Sequence, residues 1–270
     1  MAHPAARLDP DTGAPIVAIP IQRVALTVVI PTLNAARRLA DALESVWFAD
    51  EVLVIDAGSR DDTVAVARAH GARVLVVGQT TIGEQRNVGI AAARNEWILA
   101  LDADEVVTPE LRQSLAELCI SDTPPGAFKV RSRNWHLGRE LRHGPWGRDW
   151  KVRVFSRDAR FNAARVHENI ESPGDVSRLE GALLHRPYDD LAHQIVKIAQ
   201  YAKWSAADMR TRGRRASIGD VIGRPVWRFV RDYVVYSGWR DGTAGFVVAV
   251  ASAFSVFLKY ASLWFPGEVA

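Results

Sequence analysis

An α/β fold on a mostly parallel sheet, followed by a helical C-terminal extension, is what this 270-residue sequence predicts. Three observations carry that reading. Four short apolar, β-branched runs alternate with helix-length segments at 20–25 residue spacing, the pattern of strands covered by helices on both faces. Aspartates close two of these runs. The last third then joins an arginine-studded amphipathic stretch to sixteen consecutive uncharged residues, Thr243 to Leu258.

Residues 1–23 hold Pro4, Pro10, Pro15 and Pro20 without periodicity and read as an irregular leader, not a signal peptide. Leu26–Ile30, Glu51–Asp56, Arg73–Val77 and Trp97–Asp102 read as buried strands. Helices are expected over Ala35–Ser45, Asp62–His70 and Ile82–Ala93, with Gly71 as a C-cap. Thr108-Pro109 opens a further helix running to about Cys119. After Pro124-Pro125-Gly126 the pattern changes. Phe128–Arg133, Lys151–Ser156 and the run to His185 alternate apolar with polar residues, as strands with one wet face do. The stretch between the first two is rich in His, Trp, Gly and Arg and reads as a long functional loop. Leu191, Ile195, Ile198, Ala202, Ala206 and Met209 share one helical face.

Composition excludes several classes. Hydrophobic residues make up 48% and charged residues 24%, ordinary values for a folded domain. A single cysteine, Cys119, leaves no disulfide framework and no multi-cysteine metal site, and makes a reducing, cytosolic location the default. Net charge is only +3, but it is unevenly spread. Arg131 to Arg165 carries ten Lys/Arg against three Asp/Glu, and Lys203 to Arg240 nine against three. Two basic, tryptophan-rich blocks therefore sit on an acidic body, as suits phosphates or an anionic lipid surface. Nucleic acid would explain the basic blocks but not the strand-end aspartates.

The tail points to a membrane surface. Val221, Ile222, Val226, Phe229, Val230 and Tyr233 alternate with Arg224, Arg228 and Arg231, and Trp227, Trp239 and Trp264 flank the apolar run. Sixteen residues are short of the roughly 20 that span a bilayer, so an interfacial helix is expected, a core or oligomer helix being the alternative. Each basic residue near an anionic surface adds about 1 kcal/mol of attraction.

No G-x-G-x-x-G follows the first strand and no G-x-x-x-x-G-K-[ST] occurs, so dinucleotide and P-loop chemistry lack support. Instead Asp56 and Asp102 close strands, and ligands of open α/β sheets bind beyond the carboxyl ends of strands. In Leu101-Asp102-Ala103-Asp104-Glu105 two carboxylates one residue apart can address one hard divalent cation, Mg²⁺ or Mn²⁺, together with substrate phosphates.

VVIPTLN (28–34), VLVIDAGSRDDT (52–63), GEQRNVGIAAARNEWILALDADE (83–105) and LRHGPWGRDWKVRVF (141–155) resemble family 2 glycosyltransferases of the GT-A fold. FNAARVHENIE (161–171), LLHRPYDDLAHQIVKIAQY (183–201) and FLKYASLW (257–264) extend the resemblance, which is nearest to lipopolysaccharide core β-1,4-glucosyltransferases. Ala35 departs from it, since the family usually places Glu there. The resemblance implies a Rossmann-like catalytic domain over 24–188, with a nucleotide-sugar half (24–122) and an acceptor half (123–188), and a membrane-associating helical region over 189–270. Pro31, Thr32, Asn34, Asp56, Gly58, Ser59, Gln85, Arg86, Asn87, Asp102 and Ala103 would surround the nucleotide sugar. Asp56 would accept the uracil N–H, and Gln85, Arg86 and Asn87 would close over nucleotide and diphosphate. Asp102, Asp104 and His167 would meet the metal, and His143 and Trp146 the acceptor. Two carboxylates compete as the base, Asp149 and Glu168, with Asp149 preferred for its aromatic, basic loop. The implied activity is inverting transfer of a sugar, glucose first, from a UDP-sugar to a lipopolysaccharide core or other glycolipid. It would occur at the cytosolic face of the inner membrane, without nucleic acid and with oligomers open through the C-terminal helices. Rival readings are transfer to another lipid-linked glycan or polyprenyl phosphate, and a catalytically silent nucleotide-sugar or membrane binder.

Overall fold

A computed structural model describes residues 23–121, 126–136, 138–162, 170–171 and 176–265. The leader, Glu168 and His167 lie outside the described residues. The chain begins with β1 (Val24–Thr32), α1 (Ala36–Ser45), β2 (Ala49–Asp56), α2 (Thr63–Ala69), β3 (Arg73–Val76), α3 (Ile82–Ala92) and β4 (Trp97–Ala100). It continues through β5 (Glu105–Val107), α4 (Pro109–Ile120), β6 (Ala127–His136), β7 (Arg139–Glu140), β8 (Trp150–Ser156), β9 (Arg160–Phe161), β10 (Ile170–Glu171) and β11 (Val176–His185). Three helices close it: α5 (Leu191–Thr211), α6 (Ile218–Val230) and α7 (Gly242–Trp264).

One sheet runs through both halves, in the order β3-β2-β1-β4-β8-β6-β11-β5, with β7 paired to β6. The first four strands are parallel, while β8 is antiparallel to both of its neighbours. Strand order reverses between β1 and β4, and that switch point opens a crevice beyond their carboxyl ends. Alternation along β1 divides the core in two. Leu26, Val28 and Ile30 pack towards α1, α2 and α4, and Val29 faces Ile90 of α3 together with Leu53, Ile55 and Phe155. Both faces of β1 are thus buried, which is why its sequence reads as an unbroken apolar run.

Local signals placed the helices well. Thr108 caps α4 through Leu111 N, with Pro109 in its first turn. Thr81 and Glu84 form a reciprocal capping box on α3. Gly71 has φ +77, the left-handed geometry expected after α2. Differences appear where tertiary contacts intervene. The expected long loop after Arg133 is largely structured, because β6 runs on to His136, β7 folds back on it, and Trp146–Arg148 forms a 3₁₀ turn. In α5 the buried face is Gln194, Ile198, Ala202 and Ala206, while Leu191 and Ile195 stay exposed. A 2.8 Å hydrogen bond between Gln194 Oε1 and Nε2 of the buried His136 turns the helix that way. The amphipathic stretch breaks at Val230 into a π-helical turn, Arg231–Val235, after Pro225 has removed one N–H from the ladder.

Gly89 lets α3 lie close on the sheet, since a Cβ there would stand 2.3 Å from Val29 Cγ1. Val29 is buried and β-branched, so it has little room to yield. Gly89→Ala is expected to lower unfolding stability by about 1–3 kcal/mol, checked by urea denaturation. An unchanged midpoint would mean that α3 can rise off the strands.

Candidate active site

Four elements meet at the switch point. Asp102 follows β4, and its carboxylate lies 2.5 Å from Arg86 Nη2 of α3 and 2.5 Å from Arg153 Nη2 of β8. Arg153 also donates to Glu105 Oε1 at 2.7 Å, and Asp102 N donates to Glu105 Oε2 at 3.0 Å. Arg86, Arg153 and Glu105 are all buried. Burial alone would push the Asp102 carboxyl up, but Arg153 and Arg86 outweigh it and hold it far below the usual carboxylate range. Burial likewise disfavours charge on Arg153, yet Asp102 and Glu105 keep its guanidinium firmly protonated. Two cations and two anions therefore form a closed, neutral set. Removing one member strands a buried charge, at a cost of about 3–5 kcal/mol.

Asp104 behaves differently. Burial pushes its carboxyl up, His185 pulls it down, and Asp102 and Glu105 push it further up. Its Oδ1 stands 3.7 Å from His185 Nε2 at the end of β11, and both side chains remain partly accessible. The Asn134 amide donates to Trp146 O at 2.7 Å, so its oxygen faces His185 Nδ1 at 2.7 Å. Nδ1–H is then the donor, which leaves Nε2 as the ring nitrogen turned to Asp104 and the one a metal ion would take. Among the described residues no three His, Cys, Asp or Glu side chains gather into a metal cluster. Asp104 with His185 is the pair whose donor chemistry fits a divalent cation that also takes substrate phosphates. Asp102, expected beside Asp104 on that ion, is instead directed to the two arginines.

The other sequence-derived residues divide by what they touch. Asp56 accepts from Thr32 Oγ1 (3.0 Å), Gly58 N (3.0 Å), Ser59 N (2.8 Å) and Ser59 Oγ (2.5 Å). These donors fill its roughly four acceptor positions. Gln85 was expected over the nucleotide, but its Nε2 donates to Ile55 O (2.7 Å) and Thr32 O (3.1 Å), which clamps the ends of β1 and β2. Asn87 exchanges hydrogen bonds of 2.9 and 2.8 Å with the backbone of Phe161, so it too positions structure. The Arg86 guanidinium stacks on the Phe161 ring at 4.9 Å. Asn34 adopts φ +51 and accepts from Arg60 N at 2.8 Å, which orders the loop after Pro31. Ala35 cannot cap α1 itself. Thr63 Oγ1 accepts from Ala35 N at 2.8 Å and Asp61 from Ala36 N at 3.2 Å, both from the next loop. Ala103 lies between the two aspartates, partly buried against the main core.

Asp149 ends the 3₁₀ turn, pairs with Lys151 Nζ at 3.2 Å, and remains partly exposed. Lys151 also helps to hold the Asp102 carboxyl down, which ties the Asp149 side to the strand-end site. His143 Nδ1 meets Asp241 Oδ1 at 2.7 Å. Trp146 packs beside His136 and Tyr188 at ring distances of 6.2 and 6.1 Å. Arg153, Glu105 and His185 escaped the sequence reading. Arg153 falls on the polar positions of the alternating strand Lys151–Ser156 and so read as a wet-face residue, which left no local signal for its burial.

Comparison with known proteins identifies the family. The model of Glycosyl transferase family 2 matches residues 27–166, just over half of the chain. The lipopolysaccharide core biosynthesis glycosyltransferase LpsC of Rhizobium meliloti (strain 1021) is 26% identical over 252 residues, covering 90% of this chain and 93% of its own. An uncharacterized glycosyltransferase of Rickettsia felis is 26% identical over 247 residues, with 87% of each chain covered. Among solved structures, S. aureus TarS 1–349 in complex with UDP-GlcNAc aligns over 88% of this chain and 90% of its own, at 14% identity and TM-score 0.47. Glucosyl-3-phosphoglycerate synthase from Mycobacterium tuberculosis, crystallised with Mn²⁺, UDP-glucose and phosphoglyceric acid, aligns over 41% of this chain and 44% of its own, at 26% identity and TM-score 0.36. With the family motifs lying on the strand ends that build the crevice, the chain belongs to glycosyltransferase family 2 and is a glycosyltransferase.

Proposed function

We propose that the enzyme moves a sugar, glucose first among candidates, from a UDP-sugar to a lipopolysaccharide core or similar glycolipid, with inversion at the anomeric carbon. The observation that carries this reading is the Asp104–His185 pair beside the closed Asp102 network, at the switch point of a chain similar to LpsC along 90% of its length. A divalent Mg²⁺ or Mn²⁺ held by Asp104 and His185 would supply positive charge to the donor diphosphate. The protein's own groups do the rest. Arg86 and Arg153 keep Asp102 ionised and fixed as an acceptor for the donor ribose. Asp56 takes the uracil N–H when the Ser59 hydroxyl swings off it. Asp149, oriented by Lys151, removes the proton from the acceptor hydroxyl, whose oxygen attacks from the face opposite the departing diphosphate. Glu168 is the competing base, and residues 24–122 and 123–188 serve as donor and acceptor halves.

The C-terminal helices fit a lipid surface. Ile222, Val226, Trp227, Trp239, Phe246 and Val250 project from α6, α7 and the bend between them, with Trp227 59% and Trp239 55% exposed. Residues Gly238–Trp264 form 27 helical residues that include an 18-residue stretch of mean hydropathy 1.8, long and apolar enough to cross a membrane by length and composition. The basic contribution is smaller than the sequence suggested. Arg228 and Arg231 both pair with the buried Asp232, and Arg224 pairs with Asp220. We therefore assign peripheral or monotopic attachment chiefly to apolar insertion.

Asp104→Asn is expected to lower transfer by about 10²-fold or more, since a ligand that stabilises developing charge is removed. Excess chelator should do the same to the unaltered enzyme. Transfer of UDP-glucose to truncated lipopolysaccharides, followed by mass analysis, reads both, and full activity in either arm rejects the metal assignment.

Asp149→Asn should cut acceptor-dependent transfer by about 10²–10⁴-fold while UDP-glucose binding persists, as loss of a general base requires. If Glu168→Gln shows that behaviour and Asp149→Asn remains active, the two exchange roles.

The full chain should float with vesicles of phosphatidylethanolamine and phosphatidylglycerol, and added salt should weaken this only partly. Replacing Trp227 and Trp239 by serine should release it more than reversing Arg224 and Arg228. A protein that ignores the vesicles and forms dimers through the same residues would assign this face to a second copy of the chain.

A further inference from the structure

Asp241 occupies the N-cap of α7, where an aspartate ordinarily accepts hydrogen bonds from the first turn of its own helix. It caps nothing there. Its nearly buried carboxylate reaches instead into the loop that carries Asp149. Oδ2 accepts from His143 N at 2.8 Å and Arg142 N at 3.1 Å, and Oδ1 lies 2.7 Å from His143 Nδ1. One residue on, Gly144 N donates to Tyr236 O at 2.9 Å. Leu141 and Trp146 pack on Ala244 and Val248 of α7. Glycines make the bend compact, since a Cβ at Gly245 would stand 1.9 Å from Gly238 O, and Gly144 of the loop lies over it, where a Cβ would be 3.6 Å from Asp232 O and 3.7 Å from Gly238 Cα. From the other side β6 holds the same loop, through Asn134 to Trp146 O and Ser132 N to Asp149 O at 2.8 Å. The loop is therefore stretched between the sheet and the bend of the apolar helical pair.

We propose that Asp241 is a positioning residue for sugar transfer: it pins residues 141–149, and with them the Asp149 carboxylate, to the bend between α6 and α7. The helices that rest on lipid thus set where the base meets a lipid-borne acceptor. Asp241 touches neither donor nor acceptor and acts through the loop. This rests on Asp149 being the base and on the apolar pair facing lipid. Geometry, not charge, is what the loop requires. An asparagine can keep both backbone N–H bonds on its amide oxygen and donate its N–H to His143 Nδ1.

The test compares Asp241→Ala and Asp241→Asn in the full chain, with truncated lipopolysaccharides as acceptors and UDP-glucose as donor. Asp241→Ala should lower kcat/KM for the acceptor by about tenfold or more, as loss of near-attack geometry does. Its KM for UDP-glucose and its acceptor-free hydrolysis of UDP-glucose should stay within about twofold, while Asp241→Asn restores transfer to within about threefold, an error below 1 kcal/mol. Hydrogen exchange should show the amides of Arg142, His143 and Gly144 slow in the unaltered protein and fast in Asp241→Ala only. Wild-type transfer by Asp241→Ala, parallel loss of donor hydrolysis, or equal loss in Asp241→Asn overturns the proposal. If the unaltered protein glycosylates none of the acceptors, the functional reading fails. Unchanged exchange at these amides in Asp241→Ala would then overturn the anchor as well, whereas selective loss of protection would retain it.

Discussion

A guanidinium that is 4% exposed in the middle of a nine-stranded sheet needs a reason, and Arg153 has two, Asp102 and Glu105. The segment after β4, together with β5 and α3, contributes one charged side chain each to the network around this β8 residue, so the carboxyl ends of the parallel strands are joined to the antiparallel half by charge-assisted hydrogen bonds. The set is neutral, which makes its burial tolerable, and each member holds the others in one geometry. Asp102 is thereby fixed and ionised, while Asp104, 3.7 Å from His185, stays outside the arginine network and partly accessible. Because its members fix one another, the set has no need to reorganise when a ligand arrives.

The rest of the crevice follows the same logic, in which polar side chains hold backbone so that a few others stay available. Gln85 clamps the ends of β1 and β2, Asn87 ties α3 to Phe161, and Asp61 and Thr63 serve the N-terminus of α1 that Ala35 leaves uncapped. Asn134 does two things at once, fixing the Trp146 backbone and the tautomer of His185. The strand ends of β1, β2 and β4 are consequently braced from several sides. Residues 141–149, by contrast, are anchored partly outside the sheet, on helices whose outward faces are apolar.

The charge of the C-terminal block shows how much folding changes a one-dimensional reading. Between residues 218 and 242 four arginines face three aspartates, and the aspartates are used: Asp220 and Asp232 on arginines, Asp241 on the loop. The basic character of this block in one dimension is largely cancelled in three. What remains at its surface is tryptophan, phenylalanine and valine, the side chains that insert beneath lipid headgroups.

Local patterns decided a great deal. Strand–helix alternation, Thr108-Pro109, Thr81 with Glu84, and Gly71 fixed element types and ends, because capping and apolar periodicity act within a few residues. The strand-end aspartates marked the crevice, since parallel topology alone brings carboxyl ends together. The family motifs assigned glycosyl transfer. Which aspartate is locked by arginine and which stays outside that network was not legible, because Asp102 and Asp104 differ only in what Arg86 and Arg153 do from elements distant in sequence. His185 entered the site, Gln85 and Asn87 turned to backbone, and Asp241 reached 98 residues back to His143 for the same reason. Such pairings depend on direction and distance between side chains, and only the packed sheet and helices determine those.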